Sequence, residues 1–464
     1  MDDIRKKLEK SGIAIPDILL PQKMNLGQWA VIACDQFTQD LSYWAKAEKA
    51  AAGSASALNL IYPEVFLDTS NCAAQEACGK RIEKIHRSMQ SYLDTGIFAE
   101  PRHGFMYIER DTPYKRGRKG LVAAIDLEQY SWLPEERRLI RPTEGTVSER
   151  LPPRMDIRRN AAIEIPHIIL LIDDDTDSLL PELGERAKKN EYAYSGALML
   201  NSGSISGWFL DRQEDWAFLA DKLEELACRA LSRYITKTPD EQPFLFAVGD
   251  GNHSLASAME IWKEYKNAAD PQKDESQNCM HPYRYAMVEI ENIYDPAIHF
   301  EPIHRVVFGM DFNLVLKLLS ALPGFSSRII TSREELVRLI AEPVKGNRFG
   351  IISKNRYALV ETNTGGISTV CLQPLLDAEL KQRVLAGDTP LSIDYIHGED
   401  ELFRITGTGS SVPGCATGIL LPPVQKAGFF ETIARCGPLP RKSFSMGEAE
   451  EKRFYIECRK LCKH

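Results

Sequence analysis

FLFAVGDGNHS, Phe244–Ser254, is the stretch from which the fold is read. The five apolar residues Phe244–Val248 have the length and composition of a fully buried strand. Gly249 and Gly251 bracket Asp250, and apolar spacing resumes as a helix over Leu255–Tyr265. A buried strand that turns within a few residues into a helix is an α/β element. Glycine permits positive φ and close approach of the backbone to a ligand. The first turn of the following helix offers unpaired N–H groups and the positive end of a dipole, which together suit an anion. Asp250, Asn252 and His253 add a carboxylate, an amide and an imidazole. An acid can hold Mg²⁺ or accept a proton, and a histidine can donate to a phosphate oxygen. The plain alternative is an ordinary strand-to-helix turn with Ser254 as its N-cap.

Outward from this corner, strands and helices mix without a regular βαβ repeat, so the class is α/β in a mixed α+β form. Strands are expected at Trp29–Cys34, Gly104–Glu109, Gly120–Leu127, Glu164–Asp173 and Arg284–Glu291, with a hairpin over Ser195–Asn201 and Ile205–Leu210. Helices are expected at Ser42–Ala52, Cys72–Leu93, Asp215–Tyr234, Val424–Ala434 and Glu448–Lys460. The texture shortens from about Phe312. The expected organisation is a mixed-sheet main domain over 1–310 carrying the anion site, a smaller α/β unit over 311–390, and a segment over 391–464 that packs back on the main domain.

Bulk properties narrow the function. The 464 residues suffice for two or three packed domains, and 44% hydrophobic with 26% charged is ordinary globular composition. A formal charge of -8 argues against binding nucleic acid as a polymer, which needs a basic face. No apolar run approaches the roughly 20 residues of a membrane span, and Met1–Lys10 lacks the apolar core of a secretory signal. These readings favour a cytoplasmic protein whose partner is a small anionic metabolite; they are silent on oligomeric state. Of ten cysteines, only Cys72/Cys78 and Cys458/Cys462 are close pairs, and neither has a second pair at zinc-site spacing.

Further candidates are spread along the chain. Arg141–Arg158, RPTEGTVSERLPPRMDIR, sets arginines among threonines and glutamates. Arg141 and Arg150 are candidate phosphate ligands, since the guanidinium fork suits bidentate anion recognition. Glu144, between two threonines, is a candidate general base, and Pro152–Pro153 argues against a continuous helix there. His304 and Arg305 in EPIHR form a possible anion clamp, and Arg441 and Lys442 in LPRKSFSMGE a possible second lobe. Asp35 follows the first strand, where open α/β sheets place reactive groups. Walker, Rossmann and nucleophile-elbow signatures are absent.

Several blocks together carry a resemblance: IRPTEGTVSERLPPR, VGDGNHS, HPYRYAMVEIENI, FEPIHRVVF, DYIHGED and LPRKSFSMGEAEEKRFYIECRK. The chain resembles the bacterial family called domain of unknown function 1015. Many members of that family carry AspGlyHisHisArg where this chain has Asp250–Ser254. That motif is similar to one in small-molecule serine kinases of the ParB/sulfiredoxin-like fold. The resemblance implies phosphoryl transfer to free serine or a related hydroxy amino acid. ATP, ADP or pyrophosphate would be the donor and Mg²⁺ the cofactor, held by Asp250. Asp250, His253 and the Gly249, Gly251, Asn252 and Ser254 positions would then lie at the phosphates, and Glu144 or Asp35 would take the hydroxyl proton. Asn252 and Ser254 depart from the pattern, and Arg141, Arg150 or Arg305 would have to replace the missing arginine's charge. A phosphoserine phosphatase and a non-catalytic nucleotide or phosphometabolite sensor are the other readings of the same pocket.

Overall fold

The apolar run of the corner enters a sheet as strand Phe246–Asp250, with Phe246, Ala247 and Val248 fully buried. The structure is a computed structural model that describes residues 2–67, 70–234, 242–268, 281–387, 391–407 and 416–461. The chain divides into two units, Met1–Ile298 with Glu448–His464, and His299–Gly447. The class is mixed α+β: a large mixed sheet in the first unit and an antiparallel sheet in the second.

In the first unit the sheet runs Tyr194–Ala197, Ser204–Leu210, Phe105–Asp111, Arg118–Asp126, Tyr285–Asn292, Ile169–Ile172, Phe246–Asp250, Ile140–Pro142. Ile13–Ala14 also pairs with Arg118–Asp126. Two pairings are parallel, Tyr285–Asn292 with Ile169–Ile172 and Phe246–Asp250 with Ile140–Pro142; the others are antiparallel. Strands this apolar are the kind buried on both faces. Helix Asn252–Ala268 follows the corner and buries Leu255, Ala256, Ala258, Ile261 and Trp262. Burial of a large apolar side chain such as Ile261 stabilises by roughly 1.5–3 kcal/mol.

Two local expectations are corrected. Glu164–Asp173 is not one strand: Ile163–Glu164 and Ile169–Ile172 are separate. Pro166 lacks the N–H that a continuous ladder needs, and the break turns His167 out of the sheet pattern. As expected, no continuous helix runs over Arg141–Arg158; both prolines sit in the first turn of the short helix Leu151–Arg158, where the absent N–H is unpaired anyway. Glu448–Lys460 is not a helix. Short strands Phe454–Tyr455 and Arg459–Lys460 pair with Val31–Ile32 and Ile163–Glu164, because tertiary pairing overrides the local helical preference. Cys458 lies buried there, and its proposed neighbour Cys462 falls outside the described residues.

The C-terminal segment is fixed by buried charge. Glu164 lies 2.7 Å from both Arg158 and Arg459. Burial pushes this carboxyl up, but the Arg459 and Arg158 charges and hydrogen bonds outweigh it and hold it below the ordinary range. A carboxyl depressed in the folded state contributes fully above its unfolded pKa, about 4.3, and loses that contribution as pH falls through the folded value. Glu164→Gln is therefore expected to be less stable than wild type at neutral pH, with the gap closing as pH drops below about 4. Urea unfolding at a series of pH values measures this, and a constant gap contradicts it.

The second unit holds a sheet in the order Ser326–Ile330, Arg356–Thr362, Asn347–Ser353, Ala416–Leu420, Phe300–Phe308, Ser392–His397, with Phe444–Met446 also on Phe300–Phe308. Neighbouring residues alternate between two cores, as a period of two requires. Val307, Ile351, Val360 and Ile419 join one core, and Val306, Ile352, Leu359 and Leu420 the other. Leu372 and Leu376 of helix Ser368–Ala386 cover the first; Leu336 and Leu339 of Arg333–Ala341 cover the second.

Candidate active site

Parallel pairing builds the site. Phe246, Ala247 and Val248 lie opposite Ile140, Arg141 and Pro142, so both chains leave the sheet at the same edge. Thr143 and the Asp250–Ser254 corner therefore come together. The Thr143 hydroxyl donates to the Val248 carbonyl at 2.6 Å. The Asn252 amide donates to the Thr143 hydroxyl and the Val248 carbonyl, each at 3.4 Å. The Val147 N–H donates to Nε2 of His253 at 3.3 Å. Glu144, half-buried, lies between these two anchor points.

The two glycines have different tasks. Against Ile169–Ile172 the register slips between Val248 and Asp250, so Gly249 is the extra residue of a bulge, a device that re-aims the next side chain. Gly251 has φ of +80°, and a Cβ there would lie 3.0 Å from Cγ1 and 3.2 Å from Cα of Ile168. Gly251→Ala is thus expected to cost about 1–2 kcal/mol from the left-handed backbone alone, read as a lower urea midpoint; an unchanged midpoint contradicts this. Helix Asn252–Ala268 begins directly after Gly251, so Ser254 stands within the first turn and not at the N-cap.

The re-aimed Asp250 accepts from the Gly251 N–H through Oδ1 at 3.1 Å. Its Oδ2 is buried and accepts no hydrogen bond; the Lys452 ammonium stands 3.6 Å away. Asn252 Oδ1 and Thr146 Oγ1 are likewise buried without a hydrogen-bond partner. Hard oxygen donors of this kind fit Mg²⁺, which binds through one or two carboxylates together with phosphate oxygens. Among the described residues no cluster of three or more histidine, cysteine or carboxylate side chains forms a metal cage.

The other side of the corner is a histidine network. Nε2 of His167 is 3.3 Å from the Ser254 hydroxyl and 3.9 Å from Oδ2 of Asp35. Nδ1 of His167 is 2.8 Å from the Tyr455 hydroxyl, which also accepts from the Cys34 N–H at 3.4 Å. Burial holds Tyr455 protonated well past its usual range, and its bond with Nδ1 leaves Nε2 facing Ser254 and Asp35. Burial pushes the Asp35 carboxyl up, but the His167 charge, the Gln36 amide, Lys452 and Arg154 outweigh it and hold it below the ordinary range. Beside it, Arg154 is ion-paired with Glu64, whose carboxyl burial pushes up against the Arg154 charge. A cavity of about 140 Å³ is bounded by Ser254, His167, Tyr455, Cys34, Glu64 and Arg154, with apolar walls that include Leu60, Met89 and Ile157.

The remaining sequence candidates are placed elsewhere. Arg141 donates to the Arg138 and Gln242 carbonyls, both 2.9 Å, at the N-terminal ends of the paired strands, opposite to the corner. Its guanidinium lies 4.8 Å from the Phe244 ring. Arg150 is exposed at the start of helix Leu151–Arg158. His304, Arg305, Arg441 and Lys442 belong to the second unit. There, Nδ1 of His304 accepts from the Leu421 N–H at 3.1 Å, and burial, then the Arg305 and His397 charges, lower its pKa to about 4. Arg305 is fully buried, donating to Gln373 and to the Ile303 carbonyl, with its guanidinium 4.6 Å from the Tyr395 ring. Arg441 and Lys442 are exposed.

Sequence reasoning missed His167, Glu64, Lys452 and Tyr455. Pro166 within an apolar run was the only local sign for His167; Lys452 and Tyr455 arrive from a segment read as a helix.

No curated protein matches the chain. Among solved structures it is similar to a free serine kinase in complex with AMP, at 12% identity and TM-score 0.35, over 76% of this chain and 95% of that one. It is similar also to a conserved hypothetical protein from Pyrococcus furiosus (14%, TM-score 0.32, 73% and 95%). A third is SbnI with C-terminal truncation from Staphylococcus aureus (8%, TM-score 0.34, 73% and 87%). Residues 15–380, which include Asp35, the Thr143–Val147 loop, His167 and the Asp250–Ser254 corner, match the model of the family described as Protein of unknown function (DUF1015), and the chain belongs to that family.

Proposed function

We propose that this chain is a small-molecule phosphotransferase, a kinase acting on the hydroxyl of free serine or a related hydroxy amino acid. One observation carries the reading. A bulge aims the Asp250 carboxylate, with one buried oxygen accepting no hydrogen bond, beside both a helix start and the Lys452 ammonium. Phosphoryl transfer needs positioning and charge neutralisation more than covalent chemistry, and the corner supplies both. The backbone N–H groups at the start of helix Asn252–Ala268 and the Lys452 ammonium hold the donor's phosphate oxygens. Ser254 and His167 orient the acceptor hydroxyl at the mouth of the cavity. Asp35 accepts the hydroxyl proton as the oxygen bonds to phosphorus and the leaving phosphate departs with the bond's electron pair. Asp35 suits that role better than Glu144, because it is joined to Ser254 through His167. Magnesium, held by Asp250 and Asn252, would neutralise charge on the transferring phosphates.

The test is incubation of the purified chain with serine and ATP, ADP or pyrophosphate, with phosphoserine read by mass spectrometry. Phosphoserine with at least one donor is expected. Phosphate release from phosphoserine without an acceptor would instead establish a phosphatase. Thermal stabilisation by nucleotide with no turnover would establish a sensor.

A further inference from the structure

We infer that the hydroxy amino acid bound beside Ser254 and His167 carries an apolar group on its hydroxyl-bearing carbon, a β-substituted serine in place of serine itself, and that the adjoining cavity holds that group. The inference rests on the phosphotransferase reading, which puts the acceptor hydroxyl at those two residues. Serine has little to offer this space, since beyond its hydroxyl and charged head it has a single methylene. The cavity has a volume of about 140 Å³, and an apolar cavity of about 150 Å³ stays dry and binds benzene. Its walls are carbon drawn from separate elements: Leu60 and Ile61, Met89 of helix Cys72–Asp94, Ile157 of helix Leu151–Arg158, Ala161, and Met287 of strand Tyr285–Asn292. Leu60, Met89, Ala161 and Met287 are core residues. Close-packed interiors leave few voids larger than a water molecule, so a space of this size against the reacting groups is built for an occupant.

The polar groups of the wall select against a polar substituent. Each charge is already paired: Glu64 with Arg154, and Glu164 with Arg158 and Arg459. The hydroxyls are engaged as well. Tyr62 donates to the Phe66 carbonyl at 3.1 Å, and Ser257 to the His253 carbonyl at 2.8 Å. Nε of Arg158 makes no hydrogen bond, but its guanidinium lies 5.8 Å from the Tyr283 ring. A charged or hydroxylated substituent would give up its water for groups that are already bonded, which is costly. An apolar one gains by leaving water. The site thus has the division common to small-molecule pockets, a few convergent polar groups beside an apolar wall.

The test compares serine with 3-phenylserine, whose added ring is the size of benzene. Each is titrated by calorimetry into the full chain with a non-hydrolysable ATP analogue present. Both are then offered together with ATP, ADP or pyrophosphate, and the phosphorylated products are compared by mass spectrometry. One methylene in a hydrophobic pocket already changes kcat/KM by about tenfold or more. The ring is therefore expected to raise both affinity and kcat/KM by at least about tenfold over serine. Ile157→Trp, which fills the cavity, is expected to cut that preference by at least about tenfold. If Ile157→Trp fails to fold, Leu67→Phe, at another half-buried wall residue, takes its place. Serine bound or turned over as well as 3-phenylserine, binding of neither, or a preference unchanged in the filled variant overturns the inference. Tighter binding of 3-phenylserine, lost in the filled variant, with transfer to neither compound would overturn the phosphotransferase reading and support the apolar ligand.

Discussion

Asp250→Asn is expected to lower kcat for phosphoserine formation by at least about a thousandfold, the scale on which transition-state charge contacts act. The substitution keeps the shape of the side chain and the hydrogen bond from the Gly251 N–H. It removes only the charge, at the place where the buried oxygen faces Lys452. Melting temperature is expected to change little, because that ion pair is loose at 3.6 Å and long pairs contribute little. The readout is kcat measured beside a thermal melt of the same preparation. A folded variant that keeps more than a tenth of wild-type turnover contradicts the assignment of Asp250.

Arg453→Met is expected to destabilise the protein by about 3–5 kcal/mol, the cost of leaving buried charges unpaired. Arg453 is 2% exposed. It donates to the Pro166 carbonyl at 3.1 Å, to Glu457 at 2.7 Å, and to Glu289. Removing it strands two buried carboxylates. The loss is a large part of a typical margin of about 5–15 kcal/mol. Arg453 also stands between Lys452, which faces Asp250, and Tyr455, which orients His167. The substitution is therefore expected to lower activity as well, and adding Glu289→Gln should recover part of the stability. Urea unfolding of the single and double variants measures both effects. A loss under about 1 kcal/mol, the level of an exposed pair, contradicts the account.

The corner was legible because its signals are local. An apolar run, two glycines and resumed helical spacing lie within a dozen residues, and the structure places a strand, a bulge and a helix there. The contact of Thr143–Val147 with the corner depends on a parallel pairing about a hundred residues apart in sequence, so the sequence offered both segments but not their register. Lys452 and Tyr455 were hidden for a different reason. Their segment has helix-like composition, and only its pairing with Val31–Ile32 and Ile163–Glu164 turns it into short strands. Arg141 misled because an arginine beside the corner in sequence points along its strand to the opposite end. Charge type is visible in a sequence; the direction of a strand residue's side chain relative to a distant turn is not.

The most direct measurement is a crystal structure of the chain grown with serine and a non-hydrolysable ATP analogue. The account predicts terminal phosphate oxygens about 3 Å from the N–H groups after Gly251 and from the Lys452 ammonium, with the serine hydroxyl turned toward Asp35 and His167. Phosphates bound away from the Asp250–Ser254 corner, with that corner left to solvent, would contradict it.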